Sequence, residues 1–221
     1  LSIWVVTGDG DSLSIGGNHL IHALRRNVPV KILLFNNQIY GLTKGQASPT
    51  SELGKITKST PFGVADHPFN PVALALGAEA TFVARTIDRD RHHLTEVLRA
   101  AASHEGASLV EIYQNCPVFN DGAFSALTDK DARDANQIRL ELGRPIRFGA
   151  DGEHEVVQGG ETGHQGGSRL VADTRHARQA IARIASQHGE FGVGTARYPV
   201  ARGHRGLVDE LGLPDASSGV D

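Results

Sequence analysis

At 221 residues, 39% hydrophobic and 21% charged, the chain has the composition of a globular protein large enough for one sizeable core. A net charge of −3 with no basic stripe argues against a nucleic-acid partner. No apolar run approaches the ~20 residues of a membrane span and no signal-peptide pattern is found, so no membrane association is expected. A single cysteine, Cys116, excludes an internal disulfide framework and suits the reducing cytoplasm. The sequence has no methionine and opens inside an apparent strand, so a missing N-terminal part is expected.

Residues 2–7 (SIWVVT) read as a short buried strand. Ile15, His19, Leu20, Ala23 and Leu24 recur at helical spacing, and Arg25 and Arg26 supply cations suited to a helix C-terminus. Val30 to Phe35 is a second apolar strand, which makes a βαβ unit with a right-handed crossover. Neither strand alternates with polar residues, as in a parallel sheet covered on both faces. Residues 41–71 form a polar stretch rich in Gly, Thr, Ser and Pro, a loop long enough to be functional. Residues 80–84 (strand), 92–102 (helix) and 108–113 (strand) predict a second βαβ unit. Thr128 to Leu142 is expected to be a charged helix whose apolar residues are Ile138, Leu140 and Leu142. From about Asp151 the chain carries many Gly, Arg and His and few large apolar residues. Weak order is expected there, with a helix over 174–186. His154, His164, His176 and His188 are too widely spread for a metal-ligand pattern.

The stretch Gly8-Asp9-Gly10-Asp11 poses a chemical question, since a turn needs only one of its glycines. Glycines before a helix expose N–H groups to a phosphate, yet Asp9 and Asp11 would repel a bare one. A divalent cation between carboxylate and phosphate resolves this, because Mg²⁺ takes one or two protein oxygens plus substrate phosphate. Asn36 and Asn37 stand at the end of the second strand. If the two strands are parallel, Asp9 and Asn37 emerge on the same edge, where open α/β sheets bind ligands. A backbone carbonyl from the following turn could add a third oxygen. The alternative is a purely structural turn.

Gly-Asp-Gly, 25 intervening residues and then Asn-Asn resembles the motif of thiamine diphosphate enzymes. The wider stretch "GDGDSLSIGGNHLIHALRRNVPVKILLFNNQIYGLTKGQASPTSE" resembles the β subunit of 2-oxoacid:ferredoxin oxidoreductases, particularly the 2-oxoglutarate type. The likeness continues through "DHPFNPVALALGAEATFVAR" and "SLVEIYQNCPVFNDGAF", covering residues 1 to about 150. It implies an α/β fold: a mostly parallel sheet with helices on both faces, forming a thiamine-diphosphate-binding (pyrophosphate) domain. It also implies Mg²⁺ ligation by Asp9, the Asn37 side chain and the Ile39 carbonyl. Diphosphate contacts would come from Gly8, Gly10, Asp11, Gly41, Leu42 and Thr43. Leu42 and Lys44 would shape the 2-oxoacid pocket, Lys44 through a substrate carboxylate or else as a solvated loop lysine.

Cys116 matches one ligand of the family's [4Fe-4S] cluster, whose other three thiolates would belong to the N-terminal segment absent here. The implied activity is oxidative decarboxylation of a 2-oxoacid to its acyl-CoA with reduction of ferredoxin. The implied partners are an α subunit, ferredoxin and coenzyme A. Two alternatives remain at this point: a non-oxidative decarboxylase or acetolactate-synthase-like enzyme, and an inactive fragment serving only in assembly. Residues 151–221 stand apart as a weakly ordered or divergent tail; after Gln158 the likeness ends, through natural divergence or a change of reading frame.

Overall fold

The computed structural model describes residues 1–140 and the segments 146–148, 154–158, 170–172 and 192–197. The chain runs β1 (Ile3–Gly8), α1 (Asp9–Leu13), α2 (Gly17–Arg25), β2 (Val30–Asn36), α3 (Pro71–Gly77), β3 (Phe82–Ile87), α4 (Arg91–Ser103) and β4 (Ser108–Tyr113). The four strands lie in the order β1-β2-β4-β3, all parallel, so both predicted βαβ units are present.

The two-residue period of the strands sorts their side chains between two helical layers. Ile32, Leu34, Val83 and Leu109 pack with Leu20 and Leu24 of α2 and with Ala75 and Leu76 of α3. Phe82, Ala84, Val110 and Ile112 pack with Val97 and Ala101 of α4. Helices therefore cover both faces, and the expected α/β architecture is borne out. Local chemistry sets the helix starts. The Asn70 side chain accepts the Ala73 N–H at 3.0 Å ahead of Pro71, whose fixed φ suits a first helical position. Asp90 accepts the His93 N–H at 3.1 Å to open α4. Lys31, buried within β2, donates to the carbonyls of His104 and Gly106 just past the end of α4, where a cation is favourable.

Two expectations require correction. β1 is not buried: Ile3, Trp4, Val5 and Val6 are 39–68% exposed. Among the described residues β1 pairs only with β2, and α2 shields only part of it, leaving an apolar groove of about 550 Å³ lined by Val5, Ile15, Leu20 and Ala23. Thr128 to Leu142 is not one helix but α5 (Ser125–Thr128), α6 (Arg133–Asn136) and the strand β5 (Ile138–Leu140). Ile138, Leu140 and Leu142 recur every second residue, which is a strand period. The long polar stretch holds no helix or strand before Pro71, as expected, and α3, which the sequence reading did not place, follows it from the Asn-Pro pair at 70–71.

Beyond β5 come β6 (Ile146–Phe148), β7 (His154–Gln158), β8 (Leu170–Ala172) and β9 (Gly192–Arg197). β6, β7 and β8 form a small separate sheet. β9 pairs antiparallel with β3 and carries β5 at its other edge. Helix 174–186 and His164, His176 and His188 lie outside the described residues.

Candidate functional site

Parallel pairing of Gly8 with Phe35 brings the ends of β1 and β2 together, and Asp9 and Asn37 do leave the sheet on the same edge. Asp9 opens α1 and is 2% exposed. Its carboxyl pKa is pushed up by burial, against the hydroxyls of Ser48 and Thr50 and the backbone N–H groups of Asn37 and Asp9 itself, which favour the charge. Neither the Arg85–Glu111 ion pair nor the His92–Glu96 contact involves Asp9. A buried carboxylate without a cation is costly, so this position calls for a proton or a metal ion.

The turn after β2 contributes further oxygens. Asn37 Oδ1 accepts the Ile39 N–H at 3.2 Å and its Nδ2 donates to Gln114 Oε1 at 3.5 Å. Gln38 takes a left-handed φ of 57° between them, and its Oε1 is a buried acceptor with no partner. Asp9, Asn37 and the Ile39 carbonyl offer hard oxygen donors only, which fits Mg²⁺. No cluster of three or more His, Cys, Asp or Glu occurs among the described residues.

The two glycines flanking Asp9 differ. A Cβ on Gly10 would fall 2.1 Å from the Tyr40 ring, whose hydroxyl donates to the Gly10 carbonyl at 2.9 Å. Gly10 is thus required by packing. Gly8 has only the Asp11 carboxylate near its missing Cβ, at 3.8 Å, and Gly41 has nothing. Bare backbone is therefore open to a ligand at both. Asp11 is exposed beside Gly8. Leu42, Thr43 and Lys44 stand exposed on the tip closed by the Tyr40–Gln46 bridge, so the described residues gather no enclosed pocket around Leu42 and Lys44.

Cys116 is half-buried and free. A [4Fe-4S] cluster takes four thiolates, and this chain supplies one, so it does not build such a site by itself. The Cys116 loop is nevertheless joined to the Asp9–Asn37 region. Asn120 N–H donates to the Cys116 carbonyl at 2.9 Å, and its Nδ2 donates to the Asn37 carbonyl at 2.9 Å. Lys55 Nζ donates to Asn120 Oδ1.

Beneath these residues runs a buried polar chain that the sequence reading missed. Thr50 Oγ1 lies 2.6 Å from Asp9 Oδ2 and 2.9 Å from Asn36 Oδ1. Asn36 Nδ2 donates to Glu111 Oε1 at 2.8 Å, and Arg85 Nε donates to Glu111 Oε2 at 2.7 Å. The Arg85 guanidinium also lies 5.0 Å from the centre of the Tyr113 ring. Burial works against the Arg85 charge, but Glu111, by its charge and its hydrogen bond, and Tyr113 together outweigh it and the arginine pKa is raised; burial also raises the pKa of Tyr113. Charged residues inside the apolar runs of β3 and β4 were the available signal for Arg85 and Glu111. Thr50, in an irregular loop, offered none.

A family model described as the thiamine pyrophosphate (TPP) enzyme C-terminal TPP-binding domain matches residues 2–112. The chain belongs to this family. The resemblance read from the sequence is borne out by individual relatives of the TPP-binding domain. It is 71% identical over 160 residues to the 2-oxoglutarate oxidoreductase subunit KorB of Mycobacterium tuberculosis, covering 72% of this chain and 43% of that one. It is 46% identical over 121 residues to the 2-oxoacid:ferredoxin oxidoreductase subunit beta of Saccharolobus solfataricus, covering 55% and 40%. Among solved structures it is similar to the 2-oxoglutarate:ferredoxin oxidoreductase of Magnetococcus marinus, determined with 2-oxoglutarate, coenzyme A and succinyl-CoA bound. There the TM-score is 0.66 and the identity 27%, covering 94% of this chain and 62% of that one. The chain thus spans less than half the length of these two curated relatives.

Proposed function

We propose that this chain is the cofactor-anchoring part of the β subunit of a 2-oxoacid:ferredoxin oxidoreductase acting on 2-oxoglutarate. The observation that carries this reading is the Asp9 carboxylate, buried without a cationic partner at the junction of β1 and β2 and adjoined by neutral oxygen donors. Asp9, Asn37 and the Ile39 carbonyl hold Mg²⁺, and the diphosphate approaches Gly8, Gly10, Asp11, Gly41, Leu42 and Thr43. Thiamine diphosphate held by these residues would supply a nucleophilic carbon and an electron sink for decarboxylation of a 2-oxoacid.

The protein's part is to hold that group still and to keep its charge neutralised. Lys44, on the exposed tip, offers a cation to a substrate carboxylate, and Leu42 beside it an apolar wall. Exposed Leu53, Ile56, Phe62 and Val118 around the same loops are surface for an α subunit to cover. Coenzyme A and ferredoxin complete the set of partners, in the cytoplasm. Cys116 supplies one cluster thiolate, the others coming from outside these 221 residues. Residues 1–150 form the cofactor-binding unit and 151–221 a divergent C-terminal tail, from which β9 joins the sheet beside β3.

Calorimetry with Mg²⁺ tests the reading. Asp9→Asn is expected to weaken Mg²⁺-dependent thiamine diphosphate binding by ~1.5–3 kcal/mol, the worth of a charge-assisted contact, with the fold intact. Near-wild-type affinity in the variant would overturn the metal assignment.

A further inference from the structure

We propose that Thr50 is a positioning residue for the cation site, its hydroxyl setting the rotation of the Asp9 carboxylate. The inference rests on the reading of Asp9 as a metal ligand. Its origin lies in the hydrogen-bond inventory around one hydroxyl. Thr50 Oγ1 carries one proton and sits within bonding distance of two acceptors, Asp9 Oδ2 at 2.6 Å and Asn36 Oδ1 at 2.9 Å, and of the Ser48 hydroxyl at 3.2 Å, which can donate to it. The Asn36 amide cannot turn over to offer its NH₂ instead. Its Nδ2 donates to the Glu111 carboxylate at 2.8 Å, and its Oδ1 accepts the Gln38 N–H at 3.1 Å. Reversal would set oxygen against carboxylate and NH₂ against N–H.

The Thr50 proton therefore serves the ionised Asp9, where the bond is charge-assisted, and Asn36 keeps the Gln38 N–H. With the Ser48 hydroxyl and the Asn37 N–H also on this carboxylate, the short Thr50 bond restricts its rotation, and with it the direction in which its remaining lone pairs face a cation. The grip is itself held firmly. Thr50 is 1% exposed, and its loop is fastened by Ser48 N–H to Ser51 Oγ at 2.9 Å and by Ser51 Oγ to the Gln38 carbonyl at 2.7 Å. At the far end of the buried polar chain, the paired Arg85 and Glu111 span β3 and β4 and fix the amide that faces Thr50. This is the same logic by which partners behind a metal ligand orient it.

The test compares Thr50→Val, which keeps the shape and loses the hydroxyl, with Thr50→Ser, which keeps the hydroxyl. Both are made in the assembled protein and titrated with Mn²⁺ in the presence of thiamine diphosphate, with free Mn²⁺ read by electron paramagnetic resonance. Thr50→Val is expected to weaken Mn²⁺ binding by about tenfold or more, as for loss of a charge-assisted hydrogen bond. Thr50→Ser is expected to stay within about threefold of wild type. Unchanged binding in Thr50→Val, or an equal loss in Thr50→Ser, overturns the assignment. Should Thr50→Val not fold, Thr50→Ala carries the same expectation, and failure of both to fold makes Thr50 a folding residue and overturns it too. A wild-type protein that binds no Mn²⁺ with thiamine diphosphate removes the proposed function, and this inference with it. Intact wild-type binding that ignores the valine removes the inference alone.

Discussion

β1 and β4 are six-residue parallel strands of similar apolar character, Ile-Trp-Val-Val-Thr-Gly against Ser-Leu-Val-Glu-Ile-Tyr, yet they live in different surroundings. Every residue of β4 is buried, including Glu111, because β2 and β3 flank it and helices cover both of its faces. β1 has one neighbouring strand among the described residues, and its first four residues are exposed by 39–68%. Apolar sequence reports what a strand is suited to, whereas position in the sheet decides what these residues can cover. The functional junction joins the two regimes. Asp9 extends from the exposed strand, and the polar chain that reaches Thr50 starts from the buried one.

The comparison can be broken at its buried end first. Glu111→Ala leaves the Arg85 guanidinium enclosed without its carboxylate, and the expected loss is ~3–5 kcal/mol of unfolding free energy in a urea titration. A loss under about 1 kcal/mol would mean that Arg85 finds water or another partner and that β4 is less enclosed than described. Apolar truncation then contrasts the two strands directly. Leu109→Ala, in β4, is expected to cost ~2–5 kcal/mol. Val6→Thr, 68% exposed in β1, should stay within about 0.5 kcal/mol in the isolated chain. Equal costs at the two positions would show that β1 is covered after all.

The smallest effect is spectroscopic. Trp4 is the only tryptophan and is 39% exposed, so its emission in the isolated chain is expected to lie to the red of that of a fully buried indole. A second chain packed over β1 should move it to the blue. Emission already blue in the isolated chain would contradict the exposed strand.

Much of this organisation was legible in the sequence because it rests on local patterns. Two apolar runs either side of a helical period gave β1, α2 and β2, and the acid-glycine turn and doubled asparagine gave Asp9 and Asn37 as neighbours. Long-range cover was not legible: nothing in Ile3 to Val6 announces that a layer is missing over it. Spacing was misread at 128–142, where a two-residue period passed for a helix. The support behind Asp9 escaped for another reason. Thr50 lies 41 positions from Asp9, and only the folded loop brings its hydroxyl to the carboxylate.

Asn120 ties two loops with one side chain and one N–H, and Phe119 beside it packs against Gly45, where a Cβ would meet its ring at 3.1 Å. The short stretch from Cys116 to Asn120 therefore works as a ruler laid between the thiol and the Asn37 turn. Its length is set by residues rather than by the surrounding core. An insertion or deletion among Pro117, Val118 and Phe119 would leave the strands in register and still displace the Asn37 carbonyl, so the error would be felt at the oxygen donors before it was felt in the sheet.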